Sequence, residues 1–322
     1  MTMDAGVLAG ADCIDAPVFT FENMGFRRQH NPDRIVPAFV PGDVPGYRAV
    51  RLAVKSGSYQ APLCNPADVE NDRCELWGRQ MPFPTEAWFG FAIQIPDDFP
   101  AMPQRCVVAQ IKCPFHLSID PSPVFSLRID QRRWLATIEH LYEESDFEAK
   151  RFLSKAGVPG TCPQNGVPAL QHAKFPPDPA SATQIRAILA TDGRELPPDL
   201  RADRNFSWCT TGVRVTTSGL LPLVSSRWVD FIVHFDPAGG LVELFCDNLP
   251  VASARGVLGK AASEQSNQYL KVGIYRDQVP NNPVADPNQW SFADELAIHA
   301  GHLRSGHSLA EVTRALPETL VA

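Results

Sequence analysis

The chain has 322 residues, of which 44% are hydrophobic and 20% are charged, as is typical of a globular protein with a sizeable core. Its formal net charge of −7 excludes the broad basic surface of a nucleic-acid-binding protein, although a local basic cleft remains possible. No apolar run approaches the roughly 18 residues that a membrane span requires. We therefore expect neither a nucleic acid nor a membrane as a partner.

Short strands separated by turn residues are the main structural signal. Segments rich in β-branched and aromatic residues are bounded by proline or glycine, and 30 prolines favour turns over long helices. The predicted strands are residues 18–21, 47–54, 87–95, 107–111, 124–129, 134–142, 212–217, 228–235, 241–246, 269–275 and 295–299. Hairpin turns are predicted at residues 236–240 and 246–248. This pattern predicts an all-β sandwich of two antiparallel sheets, of the jelly-roll kind.

Two segments depart from this pattern. Residues 143–205 are Pro-rich and irregular, and we expect them to form a long insertion at the rim of a cleft or over a sheet edge. Ser308 and Glu311 have the spacing of a capping box, which predicts a short helix as a terminal appendage in residues 303–322. With these additions, we expect residues 1–322 to form a single domain.

Three short segments carry polar side chains where a core strand would carry aliphatic ones. They are residues 73–76 (Arg-Cys-Glu-Leu), 110–112 (Gln-Ile-Lys) and 269–275 (Tyr-Leu-Lys-Val-Gly-Ile-Tyr). Because alternate residues of a strand share a face, each segment has one polar and one apolar face. Taken singly, each polar set could serve only cross-strand pairing. Together they predict a sheet face of Arg, Gln, Lys and Tyr that is suited to hold an anion.

These segments resemble the three strand motifs of jelly-roll polysaccharide lyases. In alginate lyases of that fold the motifs read Arg-x-Glu-Leu-Arg, Gln-Ile-His and Tyr-Phe-Lys-Ala-Gly-x-Tyr. Residues 87–100, 227–234 and 242–247 are also similar to the branch that contains glucuronan lyase and heparin lyase I. The likeness extends from about residue 19 to residue 299, apart from the insertion. It implies a concanavalin A-like jelly roll.

The resemblance also implies β-elimination at a uronic acid. A base removes the C5 proton, and an acid protonates the glycosidic oxygen that leaves C4. By position, Arg73 and Gln110 match the residues that neutralise the uronate carboxylate, and both side chains donate hydrogen bonds. Tyr275 matches the catalytic tyrosine, a side chain that is ordinarily protonated at neutral pH, as a general acid must be. Further residues expected to bind substrate are Glu75, Arg79, Lys271, Tyr269, His116 and His140.

Lys112 is a departure from the family pattern, because alginate lyases have a histidine base at this position. A lysine is ordinarily protonated at neutral pH and is then no base. Three interpretations follow. Lys112 helps to neutralise the carboxylate while Tyr275 serves as base and acid in turn; or His116 or His140 is the base; or the site is inactive and only binds a uronan. We favour the first.

Two other functions compete with a lyase. One is a lectin-like module that binds acidic polysaccharide without cleaving it, and the other is a jelly-roll glycoside hydrolase, which would need two catalytic carboxylates. Sugar stacking on Trp77, Trp134 or Trp290 would fit a binder and an enzyme equally well. Among substrates, the resemblance favours a β-1,4-linked polyglucuronate over alginate.

The remaining expectations concern the metal, the partners and the location. The chemistry requires no cofactor, but some relatives carry a structural calcium ion, for which Glu22 and Asp294 are candidate oxygen ligands. We expect a monomer that acts on an acidic polysaccharide in the secreted or periplasmic space. Residues 1–13 lack the basic and long apolar regions of a signal peptide, so the sequence leaves two alternatives open: the protein stays inside the cell, or a signal peptide has been removed.

Overall fold

The computed structural model describes residues 14–21, 24–30, 38–55, 71–78, 80–101, 106–112, 123–141, 184–194, 206–207, 213–256, 258, 267–277 and 295–316. Most of these residues belong to strands. In chain order the elements are β1 (Ile14–Phe21), β2 (Met24–His30), β3 (Ala38–Pro41), β4 (Arg48–Lys55), β5 (Asn71–Trp77), β6 (Met81–Pro82), β7 (Ala87–Gln94), β8 (Cys106–Lys112), β9 (Phe125–Asp130), β10 (Arg133–Leu141), β11 (Gln184–Thr191), β12 (Phe206–Ser207), β13 (Val213–Thr217), β14 (Trp228–Asp236), β15 (Leu241–Cys246), β16 (Leu249–Gly256), β17 (Asn267–Asp277), β18 (Glu295–Gly306) and the helix α1 (Leu309–Val312).

The first sheet has ten strands. Its order is β1-β2-β5-β17-β8-β9-β10-β11-β12, and β6 pairs with one end of β17. Neighbouring strands are antiparallel except for β11 and β12, which are parallel. Strand β17 comes late in the chain but lies between β5 and β8. The three polar segments are therefore side by side in the middle of this sheet.

The second sheet has eight antiparallel strands, in the order β13-β16-β15-β14-β7-β18-β4-β3. Its hairpins include the predicted turns between β14 and β15 and between β15 and β16. In the second of these turns, Asp247 and Asn248 have φ angles of 49° and 63°. Positive φ at both central residues is the geometry that lets a two-residue loop match the twist of its strands.

The hydrophobic core lies between the two sheets. Among the described side chains, most of the inward-facing residues of β4, β5, β7–β10 and β14–β18 are hydrophobic and fully buried. Trp134 of β10 packs edge-on against Phe231 of β14, with ring centroids 5.2 Å apart. Burying a large apolar side chain in this way contributes about 2–3 kcal/mol, so contacts of this kind hold the sheets together. The predicted sandwich of two antiparallel sheets is confirmed.

Strand β11 corrects the prediction that residues 143–205 are irregular throughout. It pairs with β10 along most of its length, and Ile188, Leu189 and Ala190 are buried. The prolines on both sides of this segment obscured a strand that extends the first sheet. The other parts of the predicted insertion, residues 143–183 and 195–205, lie outside the described residues.

The predicted short terminal helix is confirmed. Strand β18 continues to Gly306, and α1 forms only one turn before Thr313 adopts an extended conformation (φ −72°, ψ 138°). The side chain of Glu311 reaches back to the backbone N–H of His307, at 3.0 Å, and to the Ser308 hydroxyl. Residues 317–322 lie outside the described part. No helix within the described residues is long and apolar enough to cross a membrane.

Candidate active site

The polar face of the first sheet is centred on β17. Lys271 lies opposite Trp77 of β5 and opposite Gln110 of β8. Two residues further along β17, Gly273 lies opposite Glu75. The strand order thus brings polar side chains from three distant segments of the chain to one place.

Glu75, Gln110 and Lys271 form a buried polar cluster, called here the Glu75 cluster. Their exposed fractions are 1%, 2% and 3%. The amide nitrogen Nε2 of Gln110 donates a hydrogen bond to Oε1 of Glu75. The ammonium Nζ of Lys271 lies 3.7 Å from Oε2 of the same carboxylate. A buried carboxylate is costly unless it is paired and hydrogen-bonded, and here both kinds of partner are present.

Because Gly273 has no side chain, it leaves room for the side chains of the Glu75 cluster. A Cβ atom at this position would lie 2.2 Å from the carbonyl oxygen of Cys74 and 2.5 Å from Cα of Glu75. The φ angle of Gly273, +156°, is also one that residues with a side chain rarely adopt. The glycine therefore lets β5 approach β17 and leaves the space above β17 open to the side chains on either side.

Two aromatic rings, Trp77 of β5 and Tyr269 of β17, border the cluster. The rings of Trp77 and Tyr269 are 4.6 Å apart between centroids, at 38°. Nζ of Lys271 lies 5.0 Å from the centroid of the Trp77 ring, within the range of a cation–π contact. Of the two other tryptophans considered for sugar stacking, Trp134 is in the core and cannot stack on a sugar, and Trp290 lies outside the described residues.

Tyr275 is on the same strand as Lys271, four residues further on. It is partly exposed, and it lies opposite Arg73 of β5 and Val107 of β8. Lys112, near the other end of the face, lies opposite Tyr269 and is 7% exposed. The described face therefore contains a partly exposed tyrosine at one end, the Glu75 cluster in the middle and a buried lysine at the other end.

Comparison with protein families identifies the family to which the chain belongs. The family model "Polysaccharide lyase" matches residues 43–297. The chain belongs to the polysaccharide lyase family. The matched range includes β5, β8 and β17, and so all the residues of the Glu75 cluster.

Solved structures resemble this lyase at the level of the fold. An endo-β-1,4-glucuronan lyase from the fungus Trichoderma reesei has 13% identity and a TM-score of 0.48, with 91% of this chain and 93% of that chain covered. An alginate lyase from Klebsiella pneumoniae has 9% identity and a TM-score of 0.46, with 86% of each chain covered. Among curated proteins, none matches the chain significantly.

Strand β9 extends the polar face of this lyase with residues that sequence reasoning missed. Ser126, Arg128 and Asp130 alternate with three core residues and are 1%, 3% and 4% exposed. Ser126 lies opposite Gln110. The same alternation that identified the other segments is present in residues 125–130 and would have found them. With Lys112, Lys271 and Glu75, this gives the described face three cations and two carboxylates, although the whole chain is acidic.

Several predicted site residues lie where the structure does not describe them. Arg79 and His116 fall outside the described residues, as do the candidate calcium ligands Glu22 and Asp294. His140 is on β10, which β9 separates from the strand of Gln110. Within the described part of the chain, no three His, Cys, Asp or Glu residues lie close enough to hold a metal ion. The roles assigned to these residues stay predictions.

Proposed function

We propose that this lyase cleaves a uronic-acid-containing polysaccharide by β-elimination, with a glucuronan-like β-1,4-linked polyglucuronate as its substrate. The observation that carries this proposal is the set of buried hydrogen-bond donors and cations on the polar face, beside a partly exposed tyrosine. Sequence similarity to glucuronan lyase in the strands favours polyglucuronate. Heavily sulfated heparin would require a broader basic groove than an acidic chain provides.

Neutralising the substrate carboxylate is the first requirement. The C5 proton is only weakly acidic while the neighbouring carboxylate keeps its full negative charge. Gln110 and Arg73 would donate hydrogen bonds to its two oxygens, and these bonds strengthen as negative charge accumulates in the enolate-like transition state. The burial of Gln110 supports this role, since donors fixed in a water-poor site stabilise charge better than donors in water.

Proton transfer is the second requirement. A base takes the C5 proton, the electron pair of that bond forms the C4–C5 double bond, and the bond from C4 to the glycosidic oxygen breaks. The leaving oxygen then takes a proton. We assign both steps to Tyr275 when both groups depart from one face of the sugar: as a phenolate, whose charge the cations of the polar face would stabilise, it takes the C5 proton, and the resulting phenol then gives that proton to the leaving oxygen. The atoms balance without water or a cofactor, and calcium, if bound, would be structural.

Lys112 fits the neutralising role better than the base. Its position near Tyr269 and the Glu75 cluster puts a cation on the face where the anionic sugar would bind. We also propose that the enzyme is a monomer. Because a polymer substrate does not enter the cytoplasm intact, we also propose that the enzyme acts in the secreted or periplasmic space.

A panel of polymers tests this function. The purified protein is mixed with glucuronan, alginate, heparin and pectin, and ultraviolet absorbance reports the unsaturated uronate that elimination produces. We expect the absorbance to rise with glucuronan most strongly. Tyr275→Phe should lower kcat by at least about 1,000-fold, because the ring remains but the transferable proton is lost, and it should leave binding of the polymer intact.

Tyr47→Phe is the matched control for that variant. Tyr47 stacks on His302 in the second sheet, with ring centroids 3.8 Å apart, and lies away from the polar face. It should keep its kcat. No absorbance change with any polymer, together with retained binding of one of them, would contradict the catalytic proposal and favour the lectin-like alternative.

A further inference from the structure

The buried carboxylate of Glu75 lies in the middle of a face that is proposed to bind an anion, so its role there requires an explanation. Glu75 is 1% exposed, and its negative charge would repel a uronate that it touched directly. Its two oxygens instead face protein groups: Oε1 accepts from Gln110, and Oε2 lies 3.7 Å from Nζ of Lys271. The carboxylate therefore contacts two side chains that would themselves contact the substrate.

The contact between Glu75 and Gln110 crosses an intervening strand. The two residues are on β5 and β8, which flank β17, so their backbones are about 9.5 Å apart, twice the spacing of adjacent strands. Side chains can meet across that distance only where the middle strand has no side chain in the way. Gly273, opposite Glu75, provides that opening.

This contact fixes the orientation of the Gln110 amide. A carboxylate only accepts hydrogen bonds, whereas an amide end has a donating nitrogen and an accepting oxygen of nearly equal size. Glu75 therefore selects the orientation in which Nε2 points toward it. The second N–H of the same nitrogen then points away from Glu75 and can donate to a substrate oxygen. In the opposite orientation, the Gln110 oxygen would repel a uronate.

We propose that Glu75 is a positioning residue: it orients the Gln110 amide and balances the charge of Lys271, so that both side chains are ready to receive the uronate carboxylate. This inference rests on the proposed function, because it assigns Glu75 a task within that site. It differs from direct substrate binding by Glu75, which was our expectation from the sequence.

The test is a double-mutant cycle on kcat, with the variants Glu75→Gln, Gln110→Met and the double variant. Glu75→Gln keeps the size of the side chain but can present an amide in either orientation, so kcat should fall about 10- to 100-fold. KM should change by less than about threefold, because the lost interaction belongs mainly to the transition state. In the Gln110→Met background, the same change should lower kcat less than about twofold.

Controls separate a positioning role from a structural one. Glu295→Gln removes a carboxylate that pairs with Arg51 in the second sheet, and it should leave kcat unchanged. If Glu75→Gln does not fold, Glu75→Asp replaces it: the charge remains, but the side chain is one methylene shorter, and the same loss of kcat is expected. A kcat within twofold of the wild type, or full additivity with Gln110→Met, would overturn the proposal.

The result can be told apart from a failure of the proposed function. An active wild-type enzyme that loses activity in Tyr275→Phe supports the lyase whatever Glu75→Gln does. If the wild type cleaves none of the four polymers, the same cycle is measured on the Kd for the polymer that it binds. Coupling between Glu75 and Gln110 in Kd then supports the positioning role. Additive effects, or no binding at all, overturn it.

Discussion

Lys112 combines burial with a charge that is ordinarily positive at neutral pH. It is 7% exposed, two residues after Gln110 and opposite Tyr269. A cation fixed at this point would attract the uronate and stabilise charge that develops on it. A base, in contrast, would have to be neutral before the reaction. An arginine in place of Lys112 would keep the positive charge but could not act as a base. The two roles therefore predict different effects of that substitution.

Substitution of Lys112 distinguishes the two roles. If Lys112 supplies charge, Lys112→Met should lower kcat/KM about 100-fold, as expected for one lost preorganised group. Lys112→Arg keeps the charge and should stay within about tenfold of the wild type. Initial rates of the absorbance increase on glucuronan measure both. Equal inactivity of the Arg and Met variants would indicate that Lys112 is the base.

Part of the site was predictable at this scale and part was not. The two-residue period of a strand is a local pattern. It was enough to place Glu75 and Lys271 on the polar faces of their own strands. The contact between Glu75 and Gln110 does not follow from this pattern, because the contact depends on β17 lying between their strands. That order arises from the packing of segments more than 150 residues apart in the chain, and no local pattern encodes it.

At the scale of elements, the short C-terminal segment is fastened to the second sheet by buried charges. Arg314 contacts Asp230 of β14 and Asp43, in each case at 2.8 Å. Asp230 is fully buried and also accepts from Arg304 of β18. Val312 of α1 is buried beside Trp88 and Ile232. One turn of helix is thus held by the apolar contact of Val312 and by the ion pairs of Arg314, which follows it.

Removal of Arg314 should therefore destabilise the protein strongly. Arg314→Met leaves two carboxylates with one fewer cation, and we expect the free energy of unfolding to fall by about 2–4 kcal/mol. Arg227→Met is the matched control, because Arg227 pairs with Asp247 at 2.8 Å but is partly exposed, and it should cost less than about 1 kcal/mol. Urea denaturation measures both. Similar losses in the two variants would contradict the buried-network account.

The sequence predicted the central strands of the second sheet better than it predicted β11, near the edge of the first sheet, and the C-terminal end of β18. Strands such as β7 and β14 have long β-branched and aromatic runs, and a turn such as Asp247-Asn248 has its own chemistry. Strand β11 was missed because prolines surround it, and the strand predicted at residues 295–299 was too short because pairing of β18 with β7 continues to Gly306.

At the scale of the whole molecule, the site and the ion-pair network are on different sheets. The polar face belongs to the first sheet, whereas Asp43, Asp230, Arg304 and Arg314 surround the second. The core separates the two. A variant such as Arg314→Met should therefore lose stability but keep its kcat at temperatures where it is folded.

The network also makes stability depend on pH. Burial alone would raise the pKa of Asp43, but the hydrogen bond from His302 and the charge of Arg314 together hold that pKa below its usual value of 3.8. The unfolded chain then binds a proton more readily than the folded protein does. Stability from Asp43 is therefore fully present above the usual pKa and is lost as the pH falls below it.

Acid denaturation of Asp43→Asn tests this account. The variant should be less stable than the wild type at neutral pH, and its free energy of unfolding should fall less between about pH 5 and about pH 3. Denaturant titrations at several pH values measure the slopes. Asp97→Asn, which changes an exposed carboxylate, should follow the wild-type curve. A slope for Asp43→Asn equal to that of the wild type would contradict the assignment.

The position of β17 has a consequence for biosynthesis. A ribosome produces β5 and β8 long before residues 267–277, yet these two strands become neighbours of the same strand only when β17 is inserted between them. Strand β18 has the same relation to β4 and β7 in the other sheet. Until then the nascent chain has two unfilled gaps with open strand edges, which are prone to pair with other chains. Folding of this enzyme therefore has to protect those edges until both late strands have been synthesised.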